Sequence, residues 1–170
     1  MTIRLSPLHN DPAVVDALAE ILVEVVAGGG SVGFMHPLAL DEATSFWTAS
    51  LTSAERGERI LLGAFDGERL ISTVTLILAT PPNQPHRAEI AKMMTRPTDR
   101  GRGAARALLV ESERLARAHD RSLLVLDTAE EQGAAGLYEG QGFQLTGLIP
   151  DYALKPYGGL TGTLIYWKRL

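Results

Sequence analysis

The 170-residue chain contains no cysteine. This absence excludes disulfide bonds, a thiolate nucleophile and cysteine-ligated metal sites. No run approaches the roughly 20 apolar residues of a membrane-spanning helix, and residues 1–7 carry no apolar stretch long enough for a signal peptide. We therefore expect a soluble protein of the reducing cytoplasm, with no membrane partner.

Excess positive charge is also missing, because 16 Lys and Arg residues stand against 20 Asp and Glu residues, a formal net charge of −4. Nucleic-acid binding usually needs a basic surface, so no nucleic-acid partner is predicted. The basic residues are nevertheless concentrated in residues 87–106, where the acidic residues are Glu89 and Asp99. One basic segment in an acidic chain indicates a small anionic ligand. Its basic residues are Arg87, Lys92, Arg96, Arg100, Arg102 and Arg106.

Histidine, another common metal ligand, is scarce. The four histidines form no cluster, with no His-x-x-x-His spacing and no accompanying carboxylate arrangement. Zinc sites need several such ligands around one point. No metal site is predicted.

The pattern of apolar residues predicts an α+β fold with a mostly antiparallel sheet. Strands are predicted at residues 3–5, 60–65, 70–78, 88–95, 123–126, 143–148 and 164–168. Helices are predicted at about residues 11–27, 41–56, 103–119 and 134–141. No repeat, low-complexity tract or linker interrupts the chain, and 45% of it is apolar. We therefore expect a single domain over residues 1–170.

A glycine-rich segment, residues 100–106, lies between a predicted strand and a predicted long helix. Gly101 and Gly103 permit a tight turn, because glycine adopts conformations that other residues avoid. The first N–H groups of a helix lack intrahelical partners, and its dipole is positive at that end. With the three arginines of the segment, these donors predict a phosphate site. The alternative is an ordinary turn whose arginines are only solvated.

Two common phosphate-binding motifs do not fit this segment. A nucleoside-triphosphate P-loop needs Lys-Ser/Thr after its second glycine, which is absent at that spacing. A dinucleotide fingerprint needs a third glycine where Arg106 stands, and the remaining chain is too short to complete that fold. The arrangement that remains is Arg-x-x-Gly-x-Ala at the start of a helix.

This arrangement, from Arg100 to Ala105, is similar to the Arg/Gln-x-x-Gly-x-Gly/Ala signature of the GNAT superfamily of acetyl-CoA-dependent N-acetyltransferases. The order of predicted elements resembles that superfamily over nearly the whole chain. The resemblance implies a GNAT fold, a mixed sheet of about seven strands flanked by about four helices. It also implies acetyl-CoA as cosubstrate and no metal.

The resemblance further implies where each part of acetyl-CoA is held. The pyrophosphate is expected at Arg100, Gly101, Arg102, Gly103, Ala104, Ala105 and Arg106. The pantetheine arm is expected along the strand end formed by Met93, Met94 and Thr95, whose unpaired backbone groups would receive its amides like an added strand.

Tyr138 lies in the predicted short helix, where GNAT enzymes place a general-acid tyrosine. The resemblance implies that it protonates the departing thiolate. A phenol with an ordinary pKa of about 10 is protonated at neutral pH and can donate to sulfur. The alternative is an amphipathic tyrosine that only packs on the sheet.

Glu89 and Asp127 are the candidates for the base that takes the proton of the amine. Each lies on an apolar strand, where a carboxylate costs free energy unless it is paired or used. In the GNAT fold these strands diverge, so the resemblance implies that both carboxylates lie near the thioester. Glu89 could instead pair with Arg87 or Lys92, and Asp127 could cap the following turn.

The acceptor is predicted by resemblance alone. Residues 28–35, 87–94, 124–128, 150–152 and 165–168 look similar to a β-lactam acetyltransferase of the superfamily, which favours a small antibiotic-like or amino-acid-like amine. A protein N-terminus or lysine is the alternative acceptor. A non-catalytic acyl-CoA sensor is the alternative function. GNAT proteins are often dimers, so a homodimer is compatible with the resemblance.

Aromatic residues are few, at 6% of the chain. Phe34, Met35, Trp47, Tyr152 and Tyr157 could wall an acceptor pocket. The first three are expected to pack in the core instead.

Overall fold

The structure, a computed structural model, describes residues 3–170 except for the Gln132 side chain. Seven strands form one sheet: β1 (Ile3–Pro7), β2 (Arg59–Asp66), β3 (Arg69–Ile77), β4 (Arg87–Thr95), β5 (Leu123–Ala129), β6 (Gln144–Leu154) and β7 (Leu160–Arg169). Four helices flank it: α1 (Pro12–Ala27), α2 (Leu40–Glu55), α3 (Ala104–Ala118) and α4 (Ala135–Gly140). The predicted α+β fold, with about seven strands and about four helices, is confirmed.

The sheet has the order β1-β2-β3-β4-β5-β7-β6, and its neighbouring strands are antiparallel except for β4 and β5. That parallel pair is joined by the crossover through α3, as parallel strands require. Pairing of β4 with β5 runs only from Arg87↔Leu123 to Glu89↔Val125. Beyond Glu89 the two strands diverge, and a gap opens in the middle of the sheet.

The alternation of side chains along each strand separates the core into two clusters. Leu61 and Leu62, neighbours on β2, are both buried but belong to different clusters. The cluster of Leu61 includes Trp47 of α2 and the apolar face of α1. The cluster of Leu62 includes α3 and Tyr138 of α4. The gap between β4 and β5 therefore connects an α1–α2 side of the sheet with an α3–α4 side.

The two long helices that flank the gap begin at local signals in the sequence. The Asp11 side chain accepts a hydrogen bond from the Ala13 N–H (2.9 Å), and proline occupies the first turn of α1. Gly103 precedes α3 with φ of 83°, a left-handed conformation that favours glycine. Near the end of α3, Ala116 is buried and Ala118 is exposed.

The last two strands are longer than predicted. Residues 149–163 contain proline and glycine, which are typical of loops, and the sequence therefore predicted no strand there. In the structure, β6 pairs with β7 across this region, with Ile149 opposite Thr163 and then Ala153 opposite Thr161. The extra β6 residues form a wide bulge that accommodates Pro150. Proline is tolerated there because β6 is an edge strand.

Candidate active site

A cleft of about 670 Å³ occupies the gap between β4 and β5 and has walls on both sides of the sheet. Its α3–α4 side is lined by Arg100, Ala105 and Tyr138. Its α1–α2 side is lined by residues of β3, β4, β5 and the loop after α1. A substrate lying in the gap would therefore contact both sides of the sheet at once.

The glycine-rich segment 100–106 forms one wall of this cleft. Gly101 and Gly103 have φ of 76° and 83°. A Cβ atom would meet nothing within 4 Å at either position, so glycine is favoured for its conformation rather than for space. No side chain caps the start of α3. Its first N–H groups are therefore available to an anion beside Arg100.

The three arginines of this segment have different roles. Arg100 is exposed at the cleft, and within residues 3–170 its side chain forms no hydrogen bond or ion pair. Arg102 instead pairs with Asp66 (2.6 Å) and with Asp99. Arg106 is exposed and lines a separate shallow depression beside Leu5. The prediction of three arginines around one phosphate therefore fits the cleft at Arg100 alone.

Asp99 is the buried centre of an ion-pair network beneath the segment. It accepts hydrogen bonds from Arg69 (2.8 Å) and Arg102. Burial raises the pKa of Asp99, but the hydroxyl of Thr98 and the two arginines outweigh burial and hold that pKa below its ordinary value. The network ties the glycine-rich segment to the β2–β3 hairpin. Asp66 and Arg69 are too distant in sequence for local patterns to predict it.

The end of β4 offers unpaired backbone to the cleft. Because β5 pairing ends at Glu89, the β5-facing edge of residues 90–95 has no strand partner in the described part of the chain. Met93, Met94 and Thr95 line the cleft along this edge, as the pantetheine prediction requires. The Met94 side chain is buried in the α1–α2 cluster. Backbone rather than side-chain groups are therefore what Met94 offers to a ligand.

A β-bulge interrupts β4 just before this edge. Thr75 lies opposite Ala91 and Thr73 opposite Met94, so β4 contains one residue more than β3 between these pairs. Lys92 lies in the bulge with φ of 50°, a conformation uncommon for a non-glycine residue. The bulge turns the chain where β4 leaves β5.

Tyr138 of α4 lies at the α3–α4 side of the gap. Its ring packs against Phe143 and Tyr166, with ring centroids 6.0 and 5.9 Å away. Burial raises the pKa of Tyr138 to about 12, and the charge of Asp127 adds to this shift. No described residue forms a hydrogen bond with its hydroxyl. The packing and acid interpretations are thus compatible: the ring packs, and a neutral phenol remains available at the cleft.

Glu89 and Asp127 lie together on the α1–α2 side of the cleft. Glu89 is paired with Val125, and Asp127 follows two residues later on β5, so both side chains lie on one face. Glu89 is 3.6 Å from Arg87, in a partly exposed ion pair. Asp127 accepts a hydrogen bond from the Thr163 hydroxyl (3.3 Å), and no side chain caps the 3-10 turn that follows β5.

Lys92 is a cleft residue whose importance the sequence did not reveal. Its Nζ donates a hydrogen bond to the Val32 carbonyl oxygen (2.8 Å) in the loop after α1. It lies 5.7 Å from the ring centroid of Phe46 and 6.0 Å from that of Phe34. Burial lowers the pKa of Lys92, while the charges of Asp127 and Glu89 oppose the change. The one feature of the sequence that could have drawn attention to Lys92 is its position as a charged residue within an apolar strand.

Two loops meet at the α1–α2 end of the cleft. The Tyr157 hydroxyl, in the β6–β7 turn, donates a hydrogen bond to the Ala27 carbonyl oxygen (2.7 Å). The centroid of the Tyr157 ring lies 4.4 Å from that of the His36 ring, and the backbone N–H of His36 donates to the Pro156 carbonyl oxygen (2.8 Å). These contacts join the turn to the loop after α1, which lines the cleft with Ser31, Val32 and Gly33.

The predicted pocket residues divide between core, cleft and surface. Trp47 is fully buried and Phe34 is partly buried against the same cluster, as expected. Met35 is 46% exposed, so its expected core position is wrong. Met35 lies in the loop between α1 and α2, where no regular periodicity turns its side chain toward the core. Tyr152 lines the cleft from β6.

A protein-family model described as the acetyltransferase (GNAT) family matches residues 31–143, well over half of the chain. The chain belongs to the GNAT acetyltransferase family. It is therefore an acetyl-CoA-dependent N-acetyltransferase, as predicted. The described residues contain no group of three or more histidine and carboxylate side chains that could hold a metal ion. None of their helices is long and apolar enough to cross a membrane.

Solved structures of similar fold include an N-acetyltransferase from Staphylococcus aureus Mu50, with a TM-score of 0.84, 16% identity and 99% coverage of both chains. The structure of yncA from Salmonella typhimurium, which has its cofactor acetyl-CoA, has a TM-score of 0.82 and 16% identity over 100% of this chain and 95% of that chain. A ribosomal-protein-alanine N-acetyltransferase from Brucella melitensis has a TM-score of 0.79 and 21% identity over 100% of both chains. At these identities the likeness shows the shared fold.

Proposed function

We propose that this enzyme acetylates the amine of a small molecule that is antibiotic-like or amino-acid-like. The observation that carries the proposal is the cleft through the sheet, with a buried phenol at one side and two carboxylates at the other. The acetyl group would pass directly to the amine, because the chain has no cysteine and no recognisable serine triad to hold it. The whole of residues 1–170 would act as one acetyltransferase domain.

The residues that line the cleft fit the extended shape of acetyl-CoA. The free edge of Met93, Met94 and Thr95 would hold the pantetheine amides as an added strand. The N–H groups of residues 101–106 and the Arg100 side chain would hold the pyrophosphate. Arg102 would not contact the pyrophosphate but would hold the glycine-rich segment in place through its ion pairs with Asp66 and Asp99.

Acetyl-CoA supplies an activated acetyl thioester. Glu89 or Asp127 would accept the proton of the incoming amine, directly or through water, as the nitrogen bonds to the acetyl carbon. Tyr138 would give its proton to the sulfur as the carbon–sulfur bond breaks. Its raised pKa keeps the phenol protonated at physiological pH. The base and the acid would thus lie at opposite sides of the gap. The base would take a proton from the amine on one side, and the acid would give a proton to the sulfur on the other.

A link between two segments that flank the α1–α2 side of the cleft favours a small acceptor over a protein. The contacts of Tyr157 with Ala27 and His36 hold the β6–β7 turn against the loop after α1, which would restrict the room for a polypeptide there. Resemblance of residues 28–35 and 87–94 to the tabtoxin resistance protein, a β-lactam acetyltransferase, supports an antibiotic-like acceptor. Acetylation of a protein N-terminus or lysine would need this link to open.

An amine-library assay with mass-spectrometric identification of the product tests the proposal. We expect acetylated small amines and no acetylated peptides. Products confined to peptides would favour a protein acetyltransferase. Binding of acetyl-CoA without turnover of any amine would favour an acyl-CoA sensor.

We also propose that the protein forms a homodimer through the outer edge of β6. This edge strand carries large apolar side chains that are about half exposed: Leu145, Leu148, Ile149 and Leu154. An exposed edge strand that carries large apolar side chains can pair with its own copy. Light scattering should report twice the chain mass, and Leu148→Lys should halve it. A monomeric wild-type protein at micromolar concentration would contradict the proposal.

A further inference from the structure

Lys92 has donors that the protein does not use. Its ammonium can donate three hydrogen bonds, and within residues 3–170 only the Val32 carbonyl oxygen accepts one. No carboxylate of the described chain lies within ion-pair distance of its Nζ, although Glu89 and Asp127 line the same cleft. A partly buried cation without an ion pair costs free energy that a bound anion would offset.

Thr75 provides a second and independent sign of a missing partner. Its hydroxyl is buried, lines the cleft and has no hydrogen-bond partner in the described structure. Buried hydroxyls are normally bonded, so this exception needs an explanation. Thr75 lies opposite Ala91, next to the bulge that holds Lys92. An unpartnered hydroxyl and an ammonium with unused donors therefore lie at neighbouring positions of β3 and β4.

Among the charged residues that line the cleft, the two carboxylates lie apart from Lys92. Glu89 and Asp127 lie where β4 and β5 part, and Lys92 lies beyond them toward the loop after α1. We propose that Lys92 and Thr75 bind an anionic group of the acceptor, such as a carboxylate, while its amine lies at Glu89 and Asp127. The acceptor is thereby a zwitterion of the amino-acid class. This inference rests on the proposed function, because it assumes a small amine as acceptor.

A purely structural role for Lys92 makes a different prediction. If its ammonium served only to hold the loop at Val32, its removal would affect every acceptor alike. An anion subsite would affect only acceptors that carry the anion. Amino acids and their carboxamides separate these cases, since each pair keeps the amine and the side chain and differs in the charge of the carboxyl group.

The test measures kcat and KM for a panel of L-amino acids and their carboxamides with the wild-type enzyme and its variants. We expect the wild type to prefer amino acids by about tenfold or more in kcat/KM, as a charge-assisted hydrogen bond provides. Lys92→Met should remove this preference by raising KM for the amino acids, with the carboxamides unchanged. Lys92→Arg should retain part of it.

Thr75→Val tests the second residue without disturbing the fold. Removing an unpartnered buried hydroxyl should leave Tm unchanged or raise it. KM for amino acids should nevertheless increase, by less than in Lys92→Met. The matched control is Thr73→Val, which removes a hydroxyl that donates to the Leu62 carbonyl oxygen (2.9 Å). It should lower Tm and leave the preference unchanged.

Three results would overturn the subsite, and they are distinguishable. Equal losses on amino acids and carboxamides in Lys92→Met would make Lys92 a structural tie to the loop. Efficient acetylation only of amines that carry no anionic group would keep the proposed function and reject a zwitterionic acceptor. Acetylation of no compound in the panel would reject the proposed function and the subsite together. If Lys92→Met fails to fold, Lys92→Arg and Thr75→Val decide the question by the same KM comparison.

Discussion

Arg102 donates a hydrogen bond of 2.6 Å to Asp66, across the sequence from the glycine-rich segment to the β2–β3 hairpin. The same guanidinium pairs with Asp99, which is buried beneath the segment. Arg100, two residues earlier, is exposed at the cleft and has no such partner in the described chain. The two arginines of one motif therefore serve different purposes: one holds the segment in place, and the other remains available to a ligand.

Substitution of these arginines should separate binding from stability. Arg100→Ala should raise KM for acetyl-CoA by about tenfold, the loss of a charge-assisted hydrogen bond, with Tm unchanged. Arg102→Ala should cost about 1–3 kcal/mol of unfolding free energy, because the buried carboxylate of Asp99 loses one of its two arginine partners. Steady-state kinetics and thermal unfolding measure the two effects. Arg117→Ala, an exposed substitution on α3, serves as the control.

Tyr138→Phe should lower kcat by about a hundredfold or more, the usual contribution of a general acid. The affinity for acetyl-CoA should stay the same, because the backbone of β4 and the start of α3 are untouched. Tm should also stay close to that of the wild type, since the hydroxyl has no partner among residues 3–170 and the ring remains. Unchanged turnover would reduce Tyr138 to a packing residue.

The raised pKa of Tyr138 gives a pH dependence of stability with a definite sign. Burial stabilises the neutral phenol in the folded state, so the pKa is about 12 there against an ordinary value of 10.0. This contribution is present below pH 10 and is lost as the pH rises toward 12, because the unfolded chain ionises first. The Tm of the Tyr138→Phe variant should therefore decline less steeply between pH 10 and about 12 than the Tm of the wild type. Parallel declines would contradict the buried, neutral phenol.

The two carboxylates should share the work of the base. Glu89→Gln and Asp127→Asn should each lower kcat/KM for the amine by about tenfold, and the double variant by about a hundredfold or more. The deficit should shrink as the pH approaches the pKa of the acceptor amine, because a neutral amine needs less help. Kinetics from pH 6 to 9 measure this. A variant that behaves like Asp16→Asn, an exposed control on α1, loses its place in the mechanism.

Local sequence signals predicted the helices and strands well, but they did not predict the ion pairs between residues distant in sequence. Asp11 and Pro12 mark the start of α1, and Gly103 marks the start of α3, because caps and left-handed turns depend on neighbouring residues. The glycine pattern also predicted the family. The bond between Arg102 and Asp66 depends instead on residues 36 positions apart. Neither periodicity nor composition contains that information.

The sequence-based interpretation also missed what a bulge does. Regular alternation along β4 places Lys92 on the α3–α4 side, opposite to Glu89. The extra residue in β4 places the Lys92 side chain on the α1–α2 side instead, where it donates to the Val32 carbonyl oxygen. A one-residue shift exchanges the faces of a strand, so a single bulge alters which residues meet at a site. The register shift is set by pairing with β3, which a single strand's pattern does not reveal.

Tyr157 should control the size of the acceptor. Tyr157→Phe removes the hydrogen bond to the Ala27 carbonyl oxygen but keeps the ring against His36, whereas Tyr157→Ala removes both. KM for small amines should therefore rise slightly in the first variant and by about tenfold in the second. Acetylation of short peptides should increase, relative to small amines, only in Tyr157→Ala, because only that change removes both contacts between the β6–β7 turn and the loop after α1. KM for acetyl-CoA, which the proposal places at the other side of the sheet, is the internal control. Unchanged selectivity in Tyr157→Ala would show that the contact between the two loops does not restrict the acceptor.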